Sequence, residues 1–199
     1  IFTVATLMFF ACGNDDSGTE IVASNEDKSY TSAPELSIDQ TKDYKAVFTM
    51  EKGGEFTIDL LEKLVPLTVN NFVFLAKEGY YNGTTFHRVI EGFMAQTGDG
   101  QNMNGTGGSS KPDLVNEFSD TSHLRGTVSM ARTADPDSAN SQFFICFAES
   151  SHLDGQYTAF GQVISGMEFV DNIKRGEPGS GTVDDPDVMI SVKVLADIQ

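Results

Sequence analysis

The chain has 199 residues, 29 of them acidic and 13 basic, for a formal charge of −16. Such a surface repels nucleic-acid phosphates and anionic head groups and reads as a solvated exterior, so a nucleic-acid partner is excluded. The length suits one domain with a full core plus an extra segment, and with no Trp against 15 Phe the core aromatics must be mostly Phe.

Ile1 to Ala11 is an apolar run of signal-peptide length, too short for the ~20 residues of a membrane-spanning helix. With no basic residue ahead of it, a short stretch is expected to precede Ile1. The run ends at Ala11-Cys12-Gly13 and turns at once to Asn14-Asp15-Asp16. A small residue before a cysteine resembles the cleavage box of a bacterial lipoprotein, in which Cys12 would become the lipidated first residue. Phe9 and Phe10 depart from that box, which usually carries an aliphatic and a small residue there. An ordinary secretory signal with an incidental cysteine is the competing reading. Both make the protein an exported one, and the first anchors it to the bacterial cell envelope on the periplasmic or cell-surface side.

Residues 13 to 42 are polar and acidic, with Asp15, Asp16, Glu20, Glu26, Asp27, Glu35 and Asp39 and no sustained apolar period. They read as a flexible tether. Residues 43 to 199 carry the folded domain. Val47 to Met50 and Phe56 to Leu60 flank a Lys52-Gly53-Gly54 turn, and Phe56, Ile58 and Leu60 alternate with Thr57 and Asp59 as in a half-buried strand. Pro66 opens a helix whose Val69, Phe72, Val73 and Ala76 form one apolar stripe, and Gly79 stops it. Residues 97 to 126, rich in Gly, Asn and Ser, read as a long flexible loop. Its Gly105-Thr106-Gly107-Gly108-Ser109-Ser110-Lys111 lacks P-loop spacing, because the lysine does not directly follow a glycine and Pro112 follows it. Strand-like runs return at 127–131, 141–147, 158–164 and 189–195, with a short helix over 167–173. Many short strands and two helices indicate a mainly β domain, for which a closed barrel is one way to remove edges.

Cys12 and Cys146 are the only cysteines, so neither a zinc spacing nor a disulfide framework is available. Cys146 lies in an apolar strand and reads as a buried free thiol. His87 reads as structural, His123 has no partnered motif, and Asp184-Asp185-Pro186-Asp187 lacks calcium-loop spacing.

Two stretches carry the functional signal. Phe86-His87-Arg88-Val89-Ile90-Glu91-Gly92-Phe93-Met94-Ala95-Gln96-Thr97-Gly98-Asp99 sets an arginine beside two large apolar side chains and a glutamine, on a strand running into a turn. Further on comes Ser141-Gln142-Phe143-Phe144-Ile145-Cys146-Phe147. With Pro66 to Phe72, Gly126 to Ala131, Leu153-Asp154-Gly155 and Phe160 to Val163, these motifs resemble, in order, those of the cyclophilins, the prolyl cis/trans isomerases. The likeness spans about residues 44 to 197, and the length of the segment from Arg132 to Asn140 is similar to that of the bacterial branch.

The resemblance implies a closed eight-stranded antiparallel barrel with a helix over each end, and an isomerase needing no cofactor or metal. It implies that Arg88 is catalytic and oriented by Gln96. Phe93, Met94, Phe144 and Leu153 would receive the proline ring, and Gln142, Ala131 and Arg132 would hold the peptide main chain. His152 stands where many eukaryotic members carry a Trp tied to cyclosporin binding, and Tyr157 where they carry a rim His. Proline-containing polypeptides are the expected partners, met by a monomer. The competing function is a cyclophilin-fold binding module with little turnover, against which the retained arginine speaks.

Overall fold

The computed structural model describes residues 35–197. Eight strands form one antiparallel sheet: β1 Asp43–Met50, β2 Glu55–Leu60, β3 Arg88–Ile90, β4 Met94–Thr97, β5 Thr127–Met130, β6 Phe143–Cys146, β7 Ala159–Ser165 and β8 Met189–Asp197. Two helices, α1 Pro66–Lys77 and α2 Met167–Asp171, lie where the apolar stripe and the glycines place them. The strand order is β3-β4-β6-β5-β7-β2-β1-β8.

That order corrects the expectation of a closed barrel: no ladder joins β3 to β8, and the sheet is a curled half-barrel. Its β3 edge is covered instead by the chain leading into β8, through isolated bridges Thr85↔Val188 and Arg88↔Thr182. Backbone bonds from Val89 to Gly181 O (2.7 Å) and from Val183 to His87 O (3.1 Å) complete that cover. A short edge strand shielded in this way offers little template for pairing with another chain.

The aromatics of the inner core are mostly Phe, as the composition predicts, with Tyr81 among them. Phe48 and Phe56, direct partners across β1 and β2, stack at 4.6 Å between centroids. Phe72 of α1 meets Phe143 edge-on at 5.8 Å, and Phe143 meets Phe160 of β7 at 6.0 Å. Phe48, Phe56, Phe72, Phe143 and Phe160 are all essentially without exposed surface. Each aromatic pair adds roughly 0.5–1.5 kcal/mol beyond simple burial.

The start of α1 is completed from a distance. Pro66 sits in the first turn and no local side chain caps it. The Glu117 carboxylate instead accepts the N–H groups of Leu67 (3.0 Å) and Thr68 (2.7 Å). A carboxylate there satisfies orphan donors and opposes the helix dipole.

Two expectations shift. The folded part begins before residue 43: Ser37 N–H donates to Asn70 Oδ1 at 2.8 Å, and Ile38 is buried in the core. The stretch 97–126 is a pinned excursion, with Leu114 bridged to Ala139 and Asn140 accepting from Ser109. Residues 1–34, including Cys12 and most of the acidic segment, lie outside the described residues.

Candidate active site

The register of four strands builds the site. In an antiparallel sheet, residues directly paired across strands share a face. Val89, Ala95, Ile145 and Val128 form one paired row, and all four belong to the inner core. The next row is Arg88, Gln96, Phe144 and Ser129, which must therefore point to the opposite face. Beside it, Met94 pairs with Cys146 and Ile90 with Met94. On that outer face Met94, Phe144, Cys146 and Leu153 form a second, separate apolar cluster, against which Phe93, Ala131 and Tyr157 pack.

The two halves of the first motif thus fold as a hairpin, turning at 91–93, rather than as one strand. The turn makes Arg88 and Gln96 direct cross-strand partners, and Arg88 Nη1 donates to Gln96 Oε1 at 3.1 Å. Arg88 Nε donates to Ser180 O at 3.1 Å, so the guanidinium is held on two sides while half-buried.

A cavity of about 290 Å³ lies over this face, lined by Arg88, Phe93, Met94, Gln96, Ala131, Arg132, Phe144, His152, Leu153 and Tyr157. Every site residue singled out in the folded domain is there except Gln142. Its apolar floor is Met94, Phe144 and Leu153, all buried, and it carries two cations, Arg88 and Arg132, at its walls. On the rim His152 is exposed, with its ring 5.5 Å from that of Phe93. Tyr157 meets Phe144 edge-on at 5.9 Å and carries the Arg132 guanidinium 4.5 Å over its ring. Arg132 Nη2 also donates to Gln156 O at 2.9 Å, tying the segment after β5 to the one that carries Leu153 and Tyr157.

Gln142 lies next door, in an adjoining cavity of about 410 Å³ shared with Gln96, Ala131, Arg132, Asp113 and the loop 105–109. Its carboxamide is engaged on both ends, accepting from Gln96 Nε2 at 2.9 Å and donating to Gly105 O (3.0 Å) and Gly107 O (2.7 Å).

Behind the floor lies a group that sequence reading left unpartnered. His123 is wholly buried, with Nδ1 2.9 Å from Asp154 Oδ1 and Nε2 3.0 Å from Ser129 Oγ. A carboxylate only accepts, so Nδ1 carries a hydrogen toward Asp154. The order Ser129–His123–Asp154 is that of a nucleophilic triad, but Ser129 has no exposed surface for a substrate to reach. The group is a strut. It links the β5 residue opposite Phe144 to the residue following Leu153, with the His123 ring stacked 6.4 Å from Phe144. His87 is also buried, and burial pushes its imidazole below the ordinary value. Among the described residues no cluster of three or more His, Cys, Asp or Glu is placed to hold a metal. Asp99, whose five bonds to backbone N–H groups order the Gly-rich loop, was also missed. A carboxylate just ahead of a Gly- and Asn-rich stretch was the signal that could have marked it.

Comparison with known proteins gives one answer throughout. The family described as "Cyclophilin type peptidyl-prolyl cis-trans isomerase/CLD" matches residues 46–194. A "Probable peptidyl-prolyl cis-trans isomerase" of Brucella suis is 50% identical over 157 residues, covering 73% of this chain and 80% of that protein. "Peptidyl-prolyl cis-trans isomerase B" of Bacillus subtilis is 42% identical over 132 residues, covering 65% of this chain and 90% of that one. The crystal structure of a Cryptosporidium parvum cyclophilin-type isomerase superimposes with a TM-score of 0.70 at 26% identity, covering 78% of this chain and 99% of that one. A second structure of that parasite protein was obtained in the presence of the dipeptide Ala-Pro.

Proposed function

The chain belongs to the cyclophilin-type peptidyl-prolyl cis-trans isomerases and is an enzyme of that class, and on that premise we propose how its own residues perform the reaction. The proline ring enters the pocket formed by Phe93, Met94, Phe144 and Leu153. Ala131, Arg132, His152 and Tyr157 border the flanking peptide, which Gln142 also adjoins. Arg88 faces the imide nitrogen, held in direction by Gln96.

The chemistry asks for little else. An X-Pro bond turns over in tens to hundreds of seconds because twisting it breaks amide resonance. In the twisted state the nitrogen lone pair is localised and accepts a hydrogen bond that the planar imide cannot. A guanidinium aimed at that nitrogen therefore stabilises the transition state more than either ground state. Reaching a millisecond step requires roughly 7 kcal/mol, at ~1.36 per factor of ten. A charge-assisted bond in a pocket shielded by Phe93, Met94 and Phe144 is a fitting source. No proton moves and no bond is made, so His87 and the buried Ser129 need no chemical role.

The observation that carries this reading is the Arg88–Gln96 bond at the wall of a pocket floored by Met94, Phe144 and Leu153. Arg88→Ala should remove most turnover in a protease-coupled X-Pro peptide assay while leaving the fold intact, since the side chain is only half-buried. Unchanged turnover would overturn Arg88's role.

The same proposal extends to the cell. Clients are exported, proline-containing polypeptides, met by a monomer. Cys12 carries lipid and the acidic stretch after it acts as a spacer. From residue 13 to the docked Ser37, a spacer of about 24 residues would span on the order of 25–30 Å. Its acidic residues would keep it off anionic head groups.

A further inference from the structure

Three hydrogen-bonded groups in series lead away from Arg88. Gln96 accepts from Arg88 Nη1 (3.1 Å) and donates to Gln142 Oε1 (2.9 Å). Gln142 in turn donates to the carbonyls of Gly105 (3.0 Å) and Gly107 (2.7 Å). An amide side chain has a donor end and an acceptor end, and nothing intrinsic chooses between its two orientations. Here the loop makes the choice. It presents only carbonyls, so Gln142 must offer its NH2 there and its oxygen to Gln96. Gln96 must then offer its own NH2 to Gln142 and its oxygen to the guanidinium.

The loop's carbonyls point that way because its N–H groups are taken from the other side. The Asp99 carboxylate, with no exposed surface, accepts at Oδ2 from Gly105 (2.8 Å), Gly107 (3.0 Å) and Asn104 (3.2 Å). At Oδ1 it accepts from Asn102 (2.8 Å) and Gln101 (3.2 Å). Burial alone would raise this carboxyl, yet the N–H groups of Asn102, Gly107, Gly105 and Asn104 outweigh it and hold it below the ordinary carboxylate value. The loop is built around that ion. A Cβ on Gly107 would lie 2.4 Å from Asp99 Oδ1, and one on Gly105, whose φ is +89°, would lie 2.9 Å from the His87 ring.

We infer that Asp99 is a positioning residue for the isomerisation, setting the direction of the Arg88 guanidinium through the 101–107 loop, Gln142 and Gln96. It touches no substrate. Its charge fixes the peptide planes of Gly105 and Gly107, those planes fix which end of Gln142 faces Gln96, and that fixes which end of Gln96 faces Arg88. The inference rests on Arg88 being the catalytic residue. It also gives Gln142 a duty beyond bordering the substrate.

The test is a double-mutant cycle in the whole protein, with Arg88→Ala run beside it. Asp99→Asn keeps the shape but turns one acceptor into a donor, so at least two loop N–H groups lose their partner. Peptide-isomerisation kinetics should show kcat falling about tenfold, the order expected for a misaimed catalytic group, with KM within about twofold. In a Gln96→Leu background, where the relay is already cut, Asp99→Asn should change kcat by less than about twofold. A loop that merely stabilises the fold would multiply the two losses, and that result would overturn the relay. So would an Asp99→Asn enzyme with the parent's kcat while Arg88→Ala is inactive, whereas an active Arg88→Ala would sink the catalytic assignment itself. Should Asp99→Asn not fold, the parent protein decides. Gln142 side-chain amide protons protected from exchange support the relay, and protons exchanging as fast as those of an exposed glutamine refute it.

Discussion

Replacing His123 by Leu tests whether the strut behind the pocket floor is worth what its geometry implies. The substitution deletes two side-chain hydrogen bonds, one to Ser129 and one to Asp154. Their fates differ. The side chain of Asp154 is 34% exposed and keeps the His123 backbone N–H at 2.8 Å, so water replaces the ring at little cost. Ser129 is 0% exposed, and its hydroxyl is stranded beside a hydrocarbon. A buried unsatisfied hydroxyl costs about 1–3 kcal/mol. Leu roughly matches the lost volume, which keeps the cavity contribution small. The expected loss is therefore about 2 kcal/mol, or roughly 4–8 °C in Tm for a domain of this size. Urea and thermal melts measure it. Adding Ser129→Ala should recover much of the loss, because removing both partners of a buried hydrogen bond is far cheaper than removing one. A single variant within about 0.5 kcal/mol of the parent would refute the reasoning. A double variant no more stable than the single would do the same. Because Leu153 precedes Asp154, the single variant should also raise KM for X-Pro peptides.

The Cys146 thiol, at the back of the same apolar cluster, is pushed up to about 12 by burial. At pH 8 only about one thiol in ten thousand is then ionised. In a Cys12→Ser background an aromatic disulfide reagent should leave the native protein unlabelled and titrate one thiol in denaturant, and rapid labelling of the native state would contradict the burial. Cys12 itself is tested by fatty-acid labelling of cells expressing a full-length form: Cys12→Ser should abolish incorporation and release the protein from the membrane fraction. A parent that takes up no label and is already soluble would rule out the anchor without touching the isomerase.

Local pattern alone determined much of this protein. The stripe of Val69, Phe72, Val73 and Ala76 behind Pro66 is a helix signal with a built-in start, and it appears as α1 with those residues buried. The alternation of Phe56, Ile58 and Leu60 is a strand signal and appears as β2. The ordered motifs around Arg88 and Phe144 each read locally, whereas it was the family resemblance they carry, not local pattern, that implied the ten residues now found lining one pocket. Such features are legible because each depends on neighbours a few positions away in the chain.

What the sequence left open depends on residues far apart. Phe143 and Phe144 are adjacent and chemically identical, yet one closes the core and the other floors the pocket, and only strand register separates them. The curl of the sheet stops short of closure because the chain before β8 bridges to β3 without forming a ladder with it. Glu117 caps a helix 50 residues away in sequence from Leu67, and His123 finds Asp154 at a separation of 31. Asp99 turns a Gly- and Asn-rich stretch, which composition marks as flexible, into an ordered wall of the site. A buried polar group must find its partners somewhere in the fold, and one-dimensional pattern does not encode where. Tertiary structure therefore decided the polar framework around Arg88, while the sequence had already determined the helix and strand patterns that hold it.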